Sequence, residues 1–406
     1  MKNINIFYAC FHILIIYSIN YCCASSMHRT KYDDLISINH NKRKNIKKFS
    51  ERYLEPEGNN NLSFVPLSIY LITDEFNETI PADIKKYQEN FILAMNKAKN
   101  ILEDFLEILI DLEGNPFYIV EHIPNLDVSF QNKLKLSEIN FFILTKFDEI
   151  NDEVDSVIVD EYTAVPFIGL VVFNININTE DKTKFSTEYL TNLFLHHFIR
   201  LIGLNKFMSE EPLSYIPVDE NNNYYLTTDG EYNFTNVINY AQKYFNCSKI
   251  DRIDLFFTEE NDEEPIEYNE DNYFASGLYW PKRLFLGELM TKFDYKEEVA
   301  LSGFTLAFLD DLPYLRVKKN YANFGGLMKF GKNKGCEFFF NHCGNASNSL
   351  TTFANEFYLP KESTVNSEPS CSSGRLSKTI YNLQLIEDEE INDNANIFEY
   401  LTSDNK

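Results

Sequence analysis

The sequence predicts a protein of the α+β or α/β class, and three stretches predict it. A helix-periodic segment spans residues 82–112, four strand-like runs follow between 117 and 178, and a second helix begins near Ser186 and Thr187 and stops at Gly203. That order, long helix, sheet, helix, is the pattern of a catalytic-type domain ending near Asn205.

In the first segment Ile84, Tyr87, Phe91, Ile92, Met95, Ile101, Phe105, Ile108 and Leu109 recur at helical spacing, and Gly114-Asn115-Pro116 breaks the pattern. The runs "FYIVEHI", "INFFILTKF", "SVIVDEY" and "PFIGLVVFNININ" are rich in β-branched and aromatic residues and are separated by polar turns. Ser186 or Thr187 can cap the second helix, and Glu188 falls in its first turn. Beyond it come a polar insertion "DENNNYYLTTDG", a helix at 234–245, an acidic loop "TEENDEEPIEYNEDN", an apolar block at 277–314 and a cysteine-bearing tail. No internal repeat or heptad run interrupts this order.

With 406 residues, 44% apolar and 15% aromatic, the chain can bury a large core and fits two or three domains. Residues 1–26 read as a secretory signal peptide: Lys2 precedes an apolar run too short to span a bilayer, and Ala24, Ser25 and Ser26 follow. The acidic, polar end "EDEEINDNANIFEYLTSDNK" resembles neither a spanning helix nor a lipid-anchor tail. The expectation is a secreted or lumenal protein.

Four cysteines lie beyond the signal, Cys247, Cys336, Cys343 and Cys371, enough for two disulfides in any of three connectivities. Sequons at Asn61, Asn77, Asn233, Asn246 and Asn345 are candidate glycosylation sites. Residues 28–53 carry eight Lys/Arg against three acids, whereas the chain from Leu54 onward carries 28 basic against 58 acidic residues. Such a body repels nucleic acid and anionic lipid. The basic stretch reads as a removable pro-segment attracted to the body or as a solvated arm.

The stretch "LFLHHFIRLIGL", residues 193–204, has the rhythm of an amphipathic helix with polar side chains at His196, His197 and Arg200. A zinc-protease helix of the H-E-x-x-H type needs histidines at i and i+4, so that both reach one ion, and a glutamate beside the first as general base. Downstream lie "YLTTDGEYNFTNVINYAQKYFNC", "YWPKRLFLGELMT", "LSGFTLAFLDDLPYL" and "FGKNKGCEFFFNHC", and upstream "AVPFIGLVVFNI". In that order these motifs, over about residues 82–375, resemble the leishmanolysin family of metzincin metallopeptidases.

The resemblance implies an α+β fold: a metzincin-like N-terminal part with a mixed sheet and the active-site helix, then mostly helical and disulfide-bearing C-terminal parts. It implies that His196 stands at the first zinc ligand, His197 at the glutamate base, Arg200 at the second ligand, Tyr279 at the third, and Met290 at the methionine of the turn beneath the metal. In the family's pro-region a cysteine is thought to cap the zinc; the nearest match, "HRTKYDDL", has Thr30 there. The divisions expected are 1–26 signal, 27–53 basic arm, 54–205 N-terminal subdomain, 206–315 central subdomain, 316–386 cysteine-bearing subdomain and 387–406 acidic tail.

Arginine has no lone pair to offer a metal, and adjacent histidines on a helix point about 100° apart, so they cannot chelate one ion together. No cofactor is therefore expected, although zinc is the family's metal. Arg200 and Tyr279 are expected to form a hydrogen-bonded plug in the former pocket; the competing placement swings Arg200 into an open cleft. Family members act at cell surfaces as zinc endopeptidases, and some in adhesion. For this chain the resemblance implies a binding or adhesive protein that holds a protein or peptide ligand in the old substrate cleft. The alternatives are a zinc endopeptidase using His196 with non-standard partners and an interaction module that ignores the cleft. His122 and His342 read as structural, and "GLMKFGKNKG" lacks phosphate-loop spacing.

Overall fold

A computed structural model describes residues 62–111, 140–148, 154–159, 165–174, 182–204, 216–220, 223–230, 232–257, 278–291, 299–321, 328–340, 369–371 and 378–380. The signal segment, the basic arm, the run "FYIVEHI", the acidic loop, the acidic tail, His122, His342, Asn61, Asn345 and Cys343 lie outside the described residues.

The main sheet is built from β2 (Ile69–Ile72), β4 (Phe141–Asp148), β6 (Pro166–Asn174) and β5 (Val154–Val159), in the order β2-β4-β6-β5. The first three run parallel and β5 pairs antiparallel with β6, which makes the sheet mixed. Three of the expected strand runs fall on β4, β5 and β6. Parallel strands need crossovers: helices α1 (Asp74–Thr79) and α2 (Gln88–Phe105) lie between β2 and β4 in the chain, and strand β5 lies between β4 and β6.

The helix predicted over 82–112 differs from the structure. A 3₁₀ turn at Lys85–Tyr87 leads into α2, which stops at Phe105, and β3 (Leu106–Asp111) follows directly. β3 is the centre of an antiparallel sheet between β1 (Leu62–Pro66) and β10 (Leu315–Val317). The apolar run "LEILI" fits a helical turn and a buried strand equally well. Two partners from distant parts of the chain decide for the strand by taking up its backbone hydrogen bonds on both sides.

α3 (Thr187–Ile202) packs on α2 and on β6. Phe76, Phe91, Phe147, Phe173 and Phe194 form the aromatic joint among α1, α2, the sheet and α3, with ring centroids 5.1–6.2 Å apart. Strand β6 comes unusually close to α3 at Gly169: a Cβ built there would sit 2.4 Å from Leu201 Cδ1. A glycine inside a strand marks such a close approach.

The second half of the described chain holds β7 (Tyr224–Thr227), β8 (Arg252–Phe257) and β9 (Leu278–Tyr279) as an antiparallel sheet beside its helices. The helices are α4 (Thr235–Phe245), α5 (Lys282–Phe285), α6 (Gly303–Asp311) and α7 (Gly335–Phe340). β11 (Pro369–Cys371) and β12 (Lys378–Ile380) form a separate antiparallel pair. The buried residues of both halves join in one apolar core. A disulfide between Cys247 and Cys336 ties α4 to α7 across 89 residues; closing a loop of that length stabilises a fold by about 4–5 kcal/mol in the chain-entropy account. Cys371 is described only as backbone in β11.

Candidate functional site

α3 begins at Ser186, whose hydroxyl accepts from the Tyr189 amide at 3.2 Å, and its last carbonyls are met from outside: Tyr314 donates its hydroxyl to Ile202 O at 2.8 Å. Every residue from Leu193 to Ile202 is buried. The polar stripe of this helix does not face water, contrary to the amphipathic reading. An all-round buried helix belongs in the middle of a core, and the stripe faces a strand and a turn from the second half of the chain.

The strand is β9, which carries Tyr279 and pairs with β8 at Phe256. The turn follows α5 as "GELMT". Gly287 takes a positive φ of 85°, a conformation that glycine adopts without steric cost. Trp280 N donates to Met290 O at 2.9 Å, and Leu289 and Ala300 close the other side through Leu289 N to Ala300 O, also 2.9 Å. Met290 is fully buried.

These elements bring His196, Arg200 and Tyr279 together. Nδ1 of His196 lies 2.9 Å from Leu289 O. A carbonyl only accepts, so Nδ1 carries a proton and donates it to this oxygen. The His196 ring stacks on Tyr279 with centroids 5.8 Å apart and planes 20° apart. From one turn further along α3, the Arg200 guanidinium lies over the same Tyr279 ring, 5.3 Å from its centroid. Arg200 is 2% exposed and Tyr279 4%, so Arg200 does not swing into an open cleft. The contact between the two is guanidinium on ring face, where a hydrogen bond was expected. His197 points elsewhere, edge-on to Phe173 at 5.5 Å.

This donor set does not fit zinc. Of the three side chains, one offers an imidazole nitrogen, one a phenol oxygen and one a permanent cation. Among the described residues no group of three His, Cys, Asp or Glu side chains could hold a metal ion.

Beneath the site lies a residue that the motif "GELMT" contained but that sequence reasoning did not single out. Glu288 is fully buried, and its carboxylate accepts from Ser302 Oγ at 2.9 Å, Ser302 N at 3.3 Å, Thr305 Oγ1 at 2.6 Å and Met290 N. Burial pushes its carboxyl up to about 7 against the pull of those hydrogen bonds. Asp311, at the far end of α6, is similarly pushed up to about 7 by burial while it accepts the amides of Asn236 and Val237. A buried carboxylate next to a methionine turn is visible in sequence only as an acidic letter in an apolar block.

Three sequon asparagines, Asn77, Asn233 and Asn246, are described and exposed. Among the described residues no helix is long and apolar enough to cross a membrane.

A buried helix carrying His196 and Arg200, a strand delivering Tyr279 and a turn carrying Met290 thus meet at one place in an α+β scaffold. The family model described as leishmanolysin matches residues 166–405. The chain belongs to the leishmanolysin family. No curated protein matches it.

Proposed function

We propose that this chain is a secreted leishmanolysin-family glycoprotein that has stopped cutting peptides and serves in binding or cell adhesion, with a protein or peptide ligand held along the old substrate cleft. One observation carries the reading: the Arg200 guanidinium rests on the Tyr279 ring, so a permanent cation occupies the corner where the family places two ligands and a dication. A guanidinium there repels a metal and cannot ligate one. With His196, His197, Arg200 and Tyr279 between 2% and 4% exposed, the centre is a packed core element and not an open reaction site. The ligand then meets the walls of the cleft. In this reading 54–205, 206–315 and 316–386 are the three parts of one scaffold, and His197, at the base position, does no proton transfer.

The test is metal analysis of the secreted protein together with a peptide-cleavage assay. The expected result is no bound zinc and no chelator-sensitive cleavage. Stoichiometric zinc with cleavage that a chelator abolishes would establish the competing reading, a zinc endopeptidase built on His196 with non-standard partners.

A further inference from the structure

Glu288 is a fully buried carboxylate with, among the described residues, no cation acting on it. Its Oε1 faces the hydroxyls of Ser302 and Thr305, and its Oε2 the Met290 amide. The backbone amide of Ser302 completes the set. Among the described residues, Tyr240 on α4 feels the charge: burial and then Glu288 push its phenol up to about 12.

Two features of this set matter. An ionised carboxylate enclosed without a countercharge is costly, and protonation is the ordinary escape. A proton on Oε1 also has somewhere to point, because a hydroxyl is both donor and acceptor. Thr305 Oγ1 already accepts from Trp280 Nε1 at 2.9 Å, and Ser302 Oγ from Phe304 N at 3.1 Å, so both hydroxyls are established acceptors here. The backbone-only partner on Oε2 cannot reverse in this way.

We propose that Glu288 is a protonatable lock on the methionine turn. Holding a proton in acidic surroundings, it seats the turn firmly against the N-terminus of α6; deprotonated, it leaves a buried charge that loosens the turn and the Leu289 carbonyl that orients His196. Its carboxyl, raised in the fold to about 7 from an ordinary 4.5, gives the direction. The stabilisation is complete below the ordinary value and is lost as pH rises through about 7. The protein is therefore built to hold its centre shut in an acidic medium and to relax it as the medium becomes neutral and then alkaline.

The molecule carries its own probe. Trp280 is the single tryptophan of the chain, and its indole N–H donates to the Thr305 hydroxyl that in turn donates to Glu288. Tryptophan emission and the infrared carbonyl stretch of protonated carboxylic acid are followed across neutral pH on the full secreted chain. The emission change is expected to share its midpoint with a buried-acid band, to be lost in Glu288→Gln and to persist in Asp311→Asn, which removes the other carboxyl raised among the described residues. If Glu288→Gln does not fold, Asp311→Asn still decides, because among the described residues Glu288 is the raised carboxyl that remains. The proposal is overturned by an emission change without an acid band, which would indicate a histidine. Its survival in Glu288→Gln, or the absence of any acid band in Asp311→Asn, overturns it equally.

Discussion

The imidazole of His196 is fixed from below: its Nδ1 donates to the carbonyl oxygen of Leu289 at 2.9 Å, joining α3 to the methionine turn across 93 residues of sequence. Metal-ligating histidines characteristically give their second nitrogen to such an acceptor. Here that bond ties α3 to the methionine turn inside the core.

Replacing His196 with Phe isolates that bond. The ring and its stack on Tyr279 are retained, but the Leu289 carbonyl loses its imidazole donor inside the core. A buried group stripped of its partner costs about 1–3 kcal/mol. Chemical denaturation of the two proteins should show a loss in that range with an unchanged m-value. No loss would mean that the bond does not hold the turn.

The Arg200 and Tyr279 contact is measurable as a coupling. Arg200→Met and Tyr279→Leu each destabilise, and in the double variant the losses should fall short of additivity by about 1–2 kcal/mol, the strength of a desolvated cation–ring contact. Pairing Arg200→Met with Tyr279→Phe asks the complementary question, because the phenyl ring still offers its face: the coupling to Arg200 persists in the Tyr279→Phe background. Additive losses at both positions would show that the guanidinium is held by something other than the ring.

Much of this architecture was legible in the sequence because local chemistry and tertiary context agree. Ser186 caps α3, the β-branched run 166–174 is a strand, and 234–245 is close to α4. The end of the long helix was not legible. Residues 106–111 are a strand only because β1 and β10 reach them from either side, and no window of sequence contains those partners. The ligand-position residues could be listed from motif order, but not their burial or the ring-face contact. Motif order pairs Arg200 with Tyr279, 79 residues on, but the guanidinium lying over the ring face needs the packed structure. Glu288 and Asp311 escaped notice for the same reason: their partners are backbone amides and hydroxyls from other elements.

Gly169 was read only as part of a family-like strand, but its reason is steric. The Cβ of Gly169→Ala would stand 2.4 Å from Cδ1 and 3.0 Å from Cγ of Leu201, which is 1% exposed and has no free space to enter. Overpacking of this kind costs about 1–3 kcal/mol. Adding Leu201→Ala should recover part of the loss, giving a favourable coupling in thermal denaturation. A Gly169→Ala protein as stable as the parent would show that α3 can lift off β6 freely.

Asp311 caps a helix that cannot cap itself. Phe234 occupies the N-cap of α4 and has no acceptor, so Asp311 reaches across from the end of α6 to the amides of Asn236 and Val237, each at 2.9 Å. Asp311→Ala should cost about 1–2 kcal/mol, as other lost caps do. The carboxyl is raised in the fold, by burial first, from 3.8 to about 7. Its contribution to stability is then greatest in acid and falls as pH climbs towards about 7, so Asp311→Asn should flatten the stability profile over that interval. A profile that steepened, or that fell towards acid because of this residue, would reverse the sign and refute the assignment.

Supplying the ligand set that the family resemblance implies is the sharpest test of where the centre lies. Arg200→His and Tyr279→His together would supply two imidazoles beside His196, whose Nδ1 is already held by Leu289. Three histidines with an open fourth position are a catalytic-type zinc set. The double variant loses the guanidinium and ring contact and should be less stable than the parent without metal. Zinc that binds only the folded state should raise its melting temperature in a concentration-dependent way, with no such shift in the parent. Adding His197→Glu supplies the base position; because His197 packs against Phe173, the new carboxylate must turn towards the metal to avoid burial on an aromatic edge. Cleavage of a test peptide by the triple variant alone is the expected outcome. A double variant that folds but takes no zinc would show that the three positions do not converge on a common point.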